Sequence, residues 1–229
     1  MDKIILSPRL MAVARLAIGG TNITDVGTDH GFLPVWLLQN GSTGAVTASD
    51  MRLRPLERAK RTASEHGLSE RIRFVLADGL LFDGAEAADT VVIAGMGGET
   101  IISIIENAPW TKNGVRLILQ PQTKHDELCL WLAQSGYALC GAALTEDAGR
   151  LYLALSAKGE RAPGVTYAEE LLLKSRDPLL PRWISRQTRY LRSALDGMER
   201  AKTPADTEGV RSALRRMEQA REETEKWPQ

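Results

Sequence analysis

The sequence is poor in the residues that hold metals and disulfides: two cysteines, Cys129 and Cys140, and three histidines occur in 229 residues. The cysteines fall in a helix-like and a strand-like stretch without metal-ligand spacing. That excludes a disulfide-stapled scaffold and a zinc module, and both thiols are expected to be free and buried, in a reducing compartment. No metal is expected, because no His/Cys cluster offers a site. Net charge is also missing, since Lys+Arg and Asp+Glu both number 29; a nucleic-acid partner is neither supported nor excluded by it, and only the distribution of charge is informative. No apolar run reaches membrane-spanning length and no signal-peptide pattern opens the chain, so a cytoplasmic protein with no membrane partner is expected. The length suits one α/β domain of ordinary size with an appendage.

What is present is organised around Asp25-Val26-Gly27-Thr28-Asp29-His30-Gly31. An apolar-rich run, Thr24 to Val26, ends at Gly27, and a helical pattern follows in Phe32, Val35, Trp36, Leu37 and Leu38: strand, glycine turn, helix. In open α/β sheets a ligand lies outside the carboxyl ends of the strands, where glycine lets the backbone approach it. Asp50 ends a second strand, Gly44 to Ser49, at the distance of about 20 residues that suits a carboxylate holding the two hydroxyls of a ribose. The middle glycine of the dinucleotide fingerprint is absent; Asp29 stands nearby and Asp25 opens the turn. Two carboxylates repel a pyrophosphate and tolerate a cationic or amine-bearing ligand. S-adenosylmethionine has a ribose, an amine and a sulfonium but no phosphate. The stretch resembles motif I of the class I methyltransferases, with Asp29 in place of a usual glycine. A plain strand-to-helix turn is the alternative, and an NAD-dependent oxidoreductase is disfavoured by the acidic loop.

Around this stretch, Ser7 is expected to cap a helix with Pro8 in its first turn, Leu10, Met11, Val13, Ala14 and Leu16 on its apolar face, and Gly19-Gly20 as its stop. Arg9 faces either solvent or substrate. Pro55 opens a basic amphipathic helix through Glu65, whose Arg52, Arg54, Arg58, Lys60 and Arg61 read as a solvated face. A third strand, Ile72 to Leu76, leads to Asp78-Gly79. The fourth, Thr90 to Ala94, is almost wholly apolar, as in the middle of a parallel sheet. It runs into Gly95-Met96-Gly97-Gly98, where open amides and missing side chains leave room for a flat ring, and Glu99 starts the next helix. Strand five, Val115 to Leu119, ends in Gln120-Pro121-Gln122, before a helix from Lys124 to Gln134. Tyr137 to Leu144 and Leu151 to Ser156, joined by Thr145–Arg150, form an edge antiparallel hairpin. The expected fold is therefore α/β: a Rossmann-like sheet of seven strands, mostly parallel, with a terminal hairpin.

Composition shifts after Gly159. Thr166 is expected to cap a helix from Tyr167 that Asp177-Pro178 and Pro181 interrupt. Beyond it, Ile184, Leu191, Leu195 and Met198 form one apolar stripe, Val210, Leu214 and Met217 another, with a turn at Thr203-Pro204-Ala205-Asp206, which reads as an antiparallel helical hairpin. Its wet faces carry Arg182, Arg186, Arg189, Arg192, Arg200, Lys202, Arg211, Arg215, Arg216 and Arg221, an arginine excess suited to phosphate. The hairpin serves equally as a dimerisation element, so monomer and dimer stay open. The expected division is residues 1–160 as the catalytic domain and 161–229 as the helical arm.

Leu6-Ser7-Pro8-Arg9-Leu10, Asp25-Val26-Gly27-Thr28-Asp29-His30, Ala94-Gly95-Met96-Gly97-Gly98 and Leu119-Gln120-Pro121, with the C-terminal hairpin, together resemble the bacterial tRNA (adenine-N1)-methyltransferases that modify position 22. Family members often have Asn where this chain has Gln122. The resemblance implies a class I methyltransferase fold, S-adenosylmethionine as cofactor, tRNA as partner through its D-arm region, and an arm that helps bind it. It implies cofactor contacts at Asp25, Gly27, Asp50 (ribose), Met51, Asp78 (adenine amine), Gly79, Ala94, Gly95 and Met96. Substrate contacts are expected at Arg9, Gly97, Gly98, Gln120, Pro121, Arg186 and Arg189. Asp29 is the first catalytic candidate, through a hydrogen bond to the exocyclic amine; His30 either orients it, contacts the base, or is simply a helix-start residue. The competing functions are a cofactor-binding RNA- or protein-binding module without turnover, and a methyltransferase on another acceptor. The absence of an Asn-Pro-Pro-Tyr run disfavours transfer to an exocyclic amine.

Overall fold

A computed structural model of the chain describes residues 3–41, 44–161, 163–200 and 207–228. The chain divides into two compact units, Met1–Thr166 and Tyr167–Gln229. The first contains strands β1 (Ile23–Val26), β2 (Val46–Asp50), β3 (Ile72–Leu76), β4 (Thr90–Met96), β5 (Arg116–Pro121), β6 (Tyr137–Asp147) and β7 (Arg150–Gly159), with helices α1 (Pro8–Ala17), α2 (Phe32–Gln39), α3 (Leu53–Glu65), α4 (Gly98–Glu106) and α5 (His125–Gln134). The strands form one sheet in the order β3-β2-β1-β4-β5-β7-β6. The first five are parallel, while β7 runs antiparallel to both β5 and β6.

Val91, Val92 and Ile93 of β4 are fully buried, which is why that strand carries an unbroken apolar run rather than an alternation. One core cluster joins Val13, Ala14 and Ala17 of α1 to Ile23, Val92 and Ile118 of the sheet, and another joins Val35 and Leu38 of α2 to Val46, Ala48 and Ala63. Asp89 pins the start of β1 to that of β4: its carboxylate accepts the Thr21 and Asn22 N–H groups, each at 2.9 Å, and the Thr90 hydroxyl at 2.8 Å.

Several boundaries differ from expectation. β4 continues through Gly95 to Met96, with a bulge between Ala94 and Met96. The β6–β7 connection is not six residues long; both strands grow until only Ala148-Gly149 remain, each with positive φ, as a two-residue hairpin turn requires. Cross-strand hydrogen bonds outweigh the weak strand preference of Glu146 and Asp147. Cys129 is buried, but Cys140 is exposed on β6, so only one thiol is a core residue.

The second unit holds α6 (Ala168–Ser175), α7 (Leu180–Glu199) and α8 (Glu208–Glu225), three mutually packed helices, as expected of a helix from Tyr167 followed by a hairpin. Thr166 does not cap α6: Tyr167 occupies that position, and its N–H donates to Glu170 Oε1 at 2.9 Å. The expected interruption falls between α6 and α7, and Pro181 sits in the first turn of α7, where a missing N–H costs nothing. The expected turn at 203–206 lies outside the described residues. The stripe on α7 is buried chiefly at Leu180, Trp183 and Ile184, while α8 buries Ala213, Met217 and Ala220. Leu191, Leu195 and Met198 are half-buried.

The basic arm is less free than its composition suggests. Arg192 pairs with Glu218, Arg211 with Glu199, Arg215 with Glu208, and Arg221 with Glu225. Arg216 is not on a wet face at all: its Nε donates to Glu169 Oε1 at 2.8 Å, and its guanidinium lies 3.5 Å above the centre of the Tyr167 ring.

Candidate active site

β1 pairs with β2 on one side and β4 on the other, so the chain leaves it in opposite directions and a crevice opens at the carboxyl ends. A cavity of about 1040 Å³ occupies that place. Of the expected cofactor residues, Asp25, Gly27, Asp50, Met51, Asp78, Gly79, Ala94, Gly95 and Met96 all line it, as do Asp29, His30 and Arg9. Each of the strands β1, β2 and β3 delivers a carboxylate at or just beyond its end, because parallel register brings those ends level.

The donor set fits a ribose-bearing cation and disfavours a phosphate. Five carboxylates, Asp25, Asp29, Asp50, Asp78 and Glu99, line the cavity. Asp50 is 5% exposed and its Oδ1 accepts the Arg52 N–H at 2.9 Å, which fixes the carboxylate. Asp25 is equally buried, and burial pushes its carboxyl up to about 6; the Thr28 side chain opposes the rise and the charge of Asp50 adds to it. A buried carboxyl raised in this way takes a proton at a higher pH than an exposed one, and a cation beside it favours the ionised form.

At the mouth stand Asp29 and His30. Asp29 adopts a left-handed backbone (φ 48°), and its Oδ1 forms an ion pair with Arg58 of α3. Its Oδ2 lies 3.9 Å from His30 Nε2, and the His30 ring stacks on Phe32 at 5.3 Å. Gly31 makes this possible. With φ of 70° and no side chain it lets α3 approach so closely that a Cβ there would stand 2.8 Å from that of Ala59. Arg58, next to Ala59, is thereby turned onto Asp29 instead of into solvent. The sequence reading missed it; the available signal was its place beside the buried Pro55, Ala59 and Thr62 rather than on the outer face.

Other expected substrate residues separate. Gln120 is 1% exposed and consumed internally: its Oε1 accepts from Arg9 Nη1 and its Nε2 donates to the Pro121 carbonyl, both at 3.0 Å. It holds Arg9 in the cavity rather than lining it, and Pro121 is buried in β5. Gly97 and Gly98 open α4 outside the lining, and the Gly98 amide is not open but donates to the Thr123 carbonyl at 3.1 Å. Gly98 admits the backbone of Thr123 and Lys124, where a Cβ would come within 2.8 Å. Arg186 and Arg189 are exposed on α7 of the second unit. Phe32 and Gln122, absent from the expected set, do line the cavity. Among the described residues no group of three His, Cys, Asp or Glu could hold a metal ion, and no helix is long and apolar enough to cross a membrane.

Comparison with known proteins points to one family. Residues 6–155 match the family described as methyltransferase domain. The tRNA (adenine(22)-N(1))-methyltransferase of Bacillus subtilis is 30% identical over 227 residues, covering 95% of this chain and 94% of the relative. The crystal structure of the B. subtilis m1A22 tRNA methyltransferase TrmK superposes with a TM-score of 0.74 at 28% identity, covering 97% of this chain and 98% of that one. Streptococcus pneumoniae Sp1610 in complex with S-adenosyl-L-methionine reaches 0.79 at 27% identity, covering 95% and 100%. A methyltransferase-domain match over most of the sequence, and a relative aligned from end to end, place this chain in the tRNA (adenine(22)-N(1))-methyltransferase family.

Proposed function

We infer that this protein transfers the methyl group of S-adenosylmethionine to N1 of adenine 22 in tRNA, in the cytoplasm. The observation that carries the reading is a similarity to the B. subtilis enzyme that runs through the helical arm as well as the cavity, over 95% of the chain. S-adenosylmethionine, when bound, supplies an electrophilic methyl: the N1 lone pair forms the new N–C bond, the S–C pair stays on sulfur, and S-adenosylhomocysteine and a cationic N1-methyladenine result.

Neutral adenine already has its N1 lone pair free, so no base is required at that atom. The protein's work is alignment and charge. Asp50 holds the ribose hydroxyls, Asp78 the adenine amine and Asp25 the cationic amine. Because N1 lies on the pairing edge, the target base must leave its stack. His30 and Phe32 offer it a stacked aromatic surface at the mouth, and Asp29 faces the positive charge that grows on the ring. Arg186 and Arg189 lie within one turn of each other on the exposed face of α7, suited to tRNA phosphates.

The test is methyl transfer from labelled S-adenosylmethionine to unmodified tRNA, followed by nucleoside analysis. N1-methyladenosine, lost when adenine 22 is replaced, is the expected result. Cofactor binding without transfer to any tRNA would instead leave a binding module.

Asp25 adds a pH dependence. Its carboxyl is neutral below about 6, so its contribution to fold stability is full below the ordinary value of 3.8 and is lost as pH rises through about 6. Binding of a cation has the opposite sign, since the ionised form is the partner. Below pH 6 the Kd for S-adenosylmethionine should rise about tenfold per unit, and Asp25→Asn should weaken binding at pH 8 and flatten the profile. Calorimetry from pH 5 to 8 checks this; an unchanged slope in the variant would show that Asp25 is not the group that sets it.

A further inference from the structure

Gln120-Pro121-Gln122 contains two glutamines in opposite situations. Gln120 is buried with both ends of its carboxamide engaged. Gln122 is exposed at the cavity wall, and among the described residues its carboxamide has no partner. Its backbone is nonetheless fixed, since its N–H donates to the Met96 carbonyl at 2.8 Å. That bond ties it to the far side of the bulge in β4, where Ala94 pairs with Gln120 and Met96 with Pro121, so that Gly95 is the extra residue. Bulges beside active sites re-aim what flanks them. Gly95 has φ of 79°, and a Cβ there would stand 3.3 Å from Arg9 Nη1 and 3.8 Å from Gln122 Nε2. The bulge thus makes a slot floored by bare backbone, with a guanidinium on one wall and an unengaged carboxamide on the other.

An enzyme that alkylates N1 cannot recognise adenine by bonding to N1. The edge left for reading carries N7 and the N6 hydrogen that points away from N1. A glutamine carboxamide matches that pair, with Oε1 accepting from N6–H and Nε2 donating to N7. Guanine presents two acceptors there, N7 and O6, and would leave Oε1 facing one of them. We propose that Gln122 is the specificity-determining residue of the slot, reading the N6/N7 edge of the target adenine while N1 is left to the methyl donor. The inference rests on the tRNA-adenine reading above and names the group that selects the base.

The test uses the full chain and tRNA transcripts with either adenine or 7-deazaadenine at position 22, in single-turnover methyl transfer. Removing N7 should slow the wild type roughly tenfold, the loss of one of the two bonds of a bidentate contact. Gln122→Ala should be slow on both transcripts, with no further penalty from 7-deazaadenine. The paired comparison cancels any change in N1 basicity that the analogue brings. Gln122→Asn should retain part of the discrimination, and the Kd for S-adenosylmethionine should be unchanged in all variants. Equal wild-type rates on both transcripts, or a 7-deaza penalty that persists in Gln122→Ala, would overturn the inference while leaving the enzyme a methyltransferase. Weakened cofactor binding in Gln122→Ala would assign the residue to the donor and overturn it too. A wild type that methylates no tRNA adenine at all would sink the parent reading and this one together.

Discussion

Replacing Asp29 by alanine should lower the single-turnover rate of methyl transfer by about 100-fold, with the Kd for S-adenosylmethionine changed by less than about threefold. Positive charge appears on the adenine ring as the N1–methyl bond forms, and a fixed carboxylate at the cavity mouth stabilises that charge more in the transition state than in the neutral substrate. The effect should therefore fall on the rate and little on binding. The carboxylate is fixed from two directions: a left-handed backbone at residue 29 and the ion pair with Arg58. Asp29→Asn separates charge from shape, because asparagine also tolerates that backbone; it should lose nearly as much as alanine. Arg58→Ala should cost about tenfold through loss of orientation, and Arg58→Lys should restore part of it. Arg58 is expected to act through Asp29, as a positioning residue, so in Asp29→Ala its replacement should cost nothing further. Near-normal turnover of Asp29→Ala would remove the carboxylate from the mechanism.

The largest stability effect is expected in the arm. Glu169 is 3% exposed, and its charge is answered by Arg216, which also stacks on Tyr167. Arg216→Met keeps much of the packing volume and removes the positive charge that faces the buried Glu169 carboxylate. A loss of about 3–5 kcal/mol from the second unit follows. Hydrogen exchange should detect it as faster exchange of the α6 and α8 amides, with those of β4 and β5 unchanged. The double variant Glu169→Gln/Arg216→Met should recover a large part of the loss, because an unionised amide costs less to bury. If Arg216→Met alone leaves exchange unchanged, the pair is an ordinary surface contact.

These two cases mark where the chain can and cannot be read without its fold. The α/β order, the glycine turn after β1 and the carboxylates ending β1 and β2 were legible, because strand periodicity, turn chemistry and helix caps are local. Asp25, Asp50 and Asp78 reach one cavity for a topological reason: parallel strands bring their carboxyl ends to one edge of the sheet. The edge hairpin was legible as an element but its length was not, since ladder hydrogen bonds extended both strands past residues with weak strand preference.

What the sequence could not supply was partnership. Arg58 and Arg216 both read as solvated helix charges, and each is spoken for by a carboxylate distant in sequence, Asp29 in one case and Glu169 in the other. Gln120 and Gln122 look alike in the chain, yet one is buried behind Arg9 and the other lines the cavity, because Gln120 lies inside β5 and Gln122 just past its end, where the strand no longer sets the direction of the side chain. The sequence by itself determined the fold class, the acidic glycine turn and the class of ligand that turn admits, all of them properties of neighbouring residues. The tertiary structure alone decided which charges are paired, which amides are spent and which side chains remain to meet a substrate. Those depend on distances between residues that only the packed sheet and helices bring together.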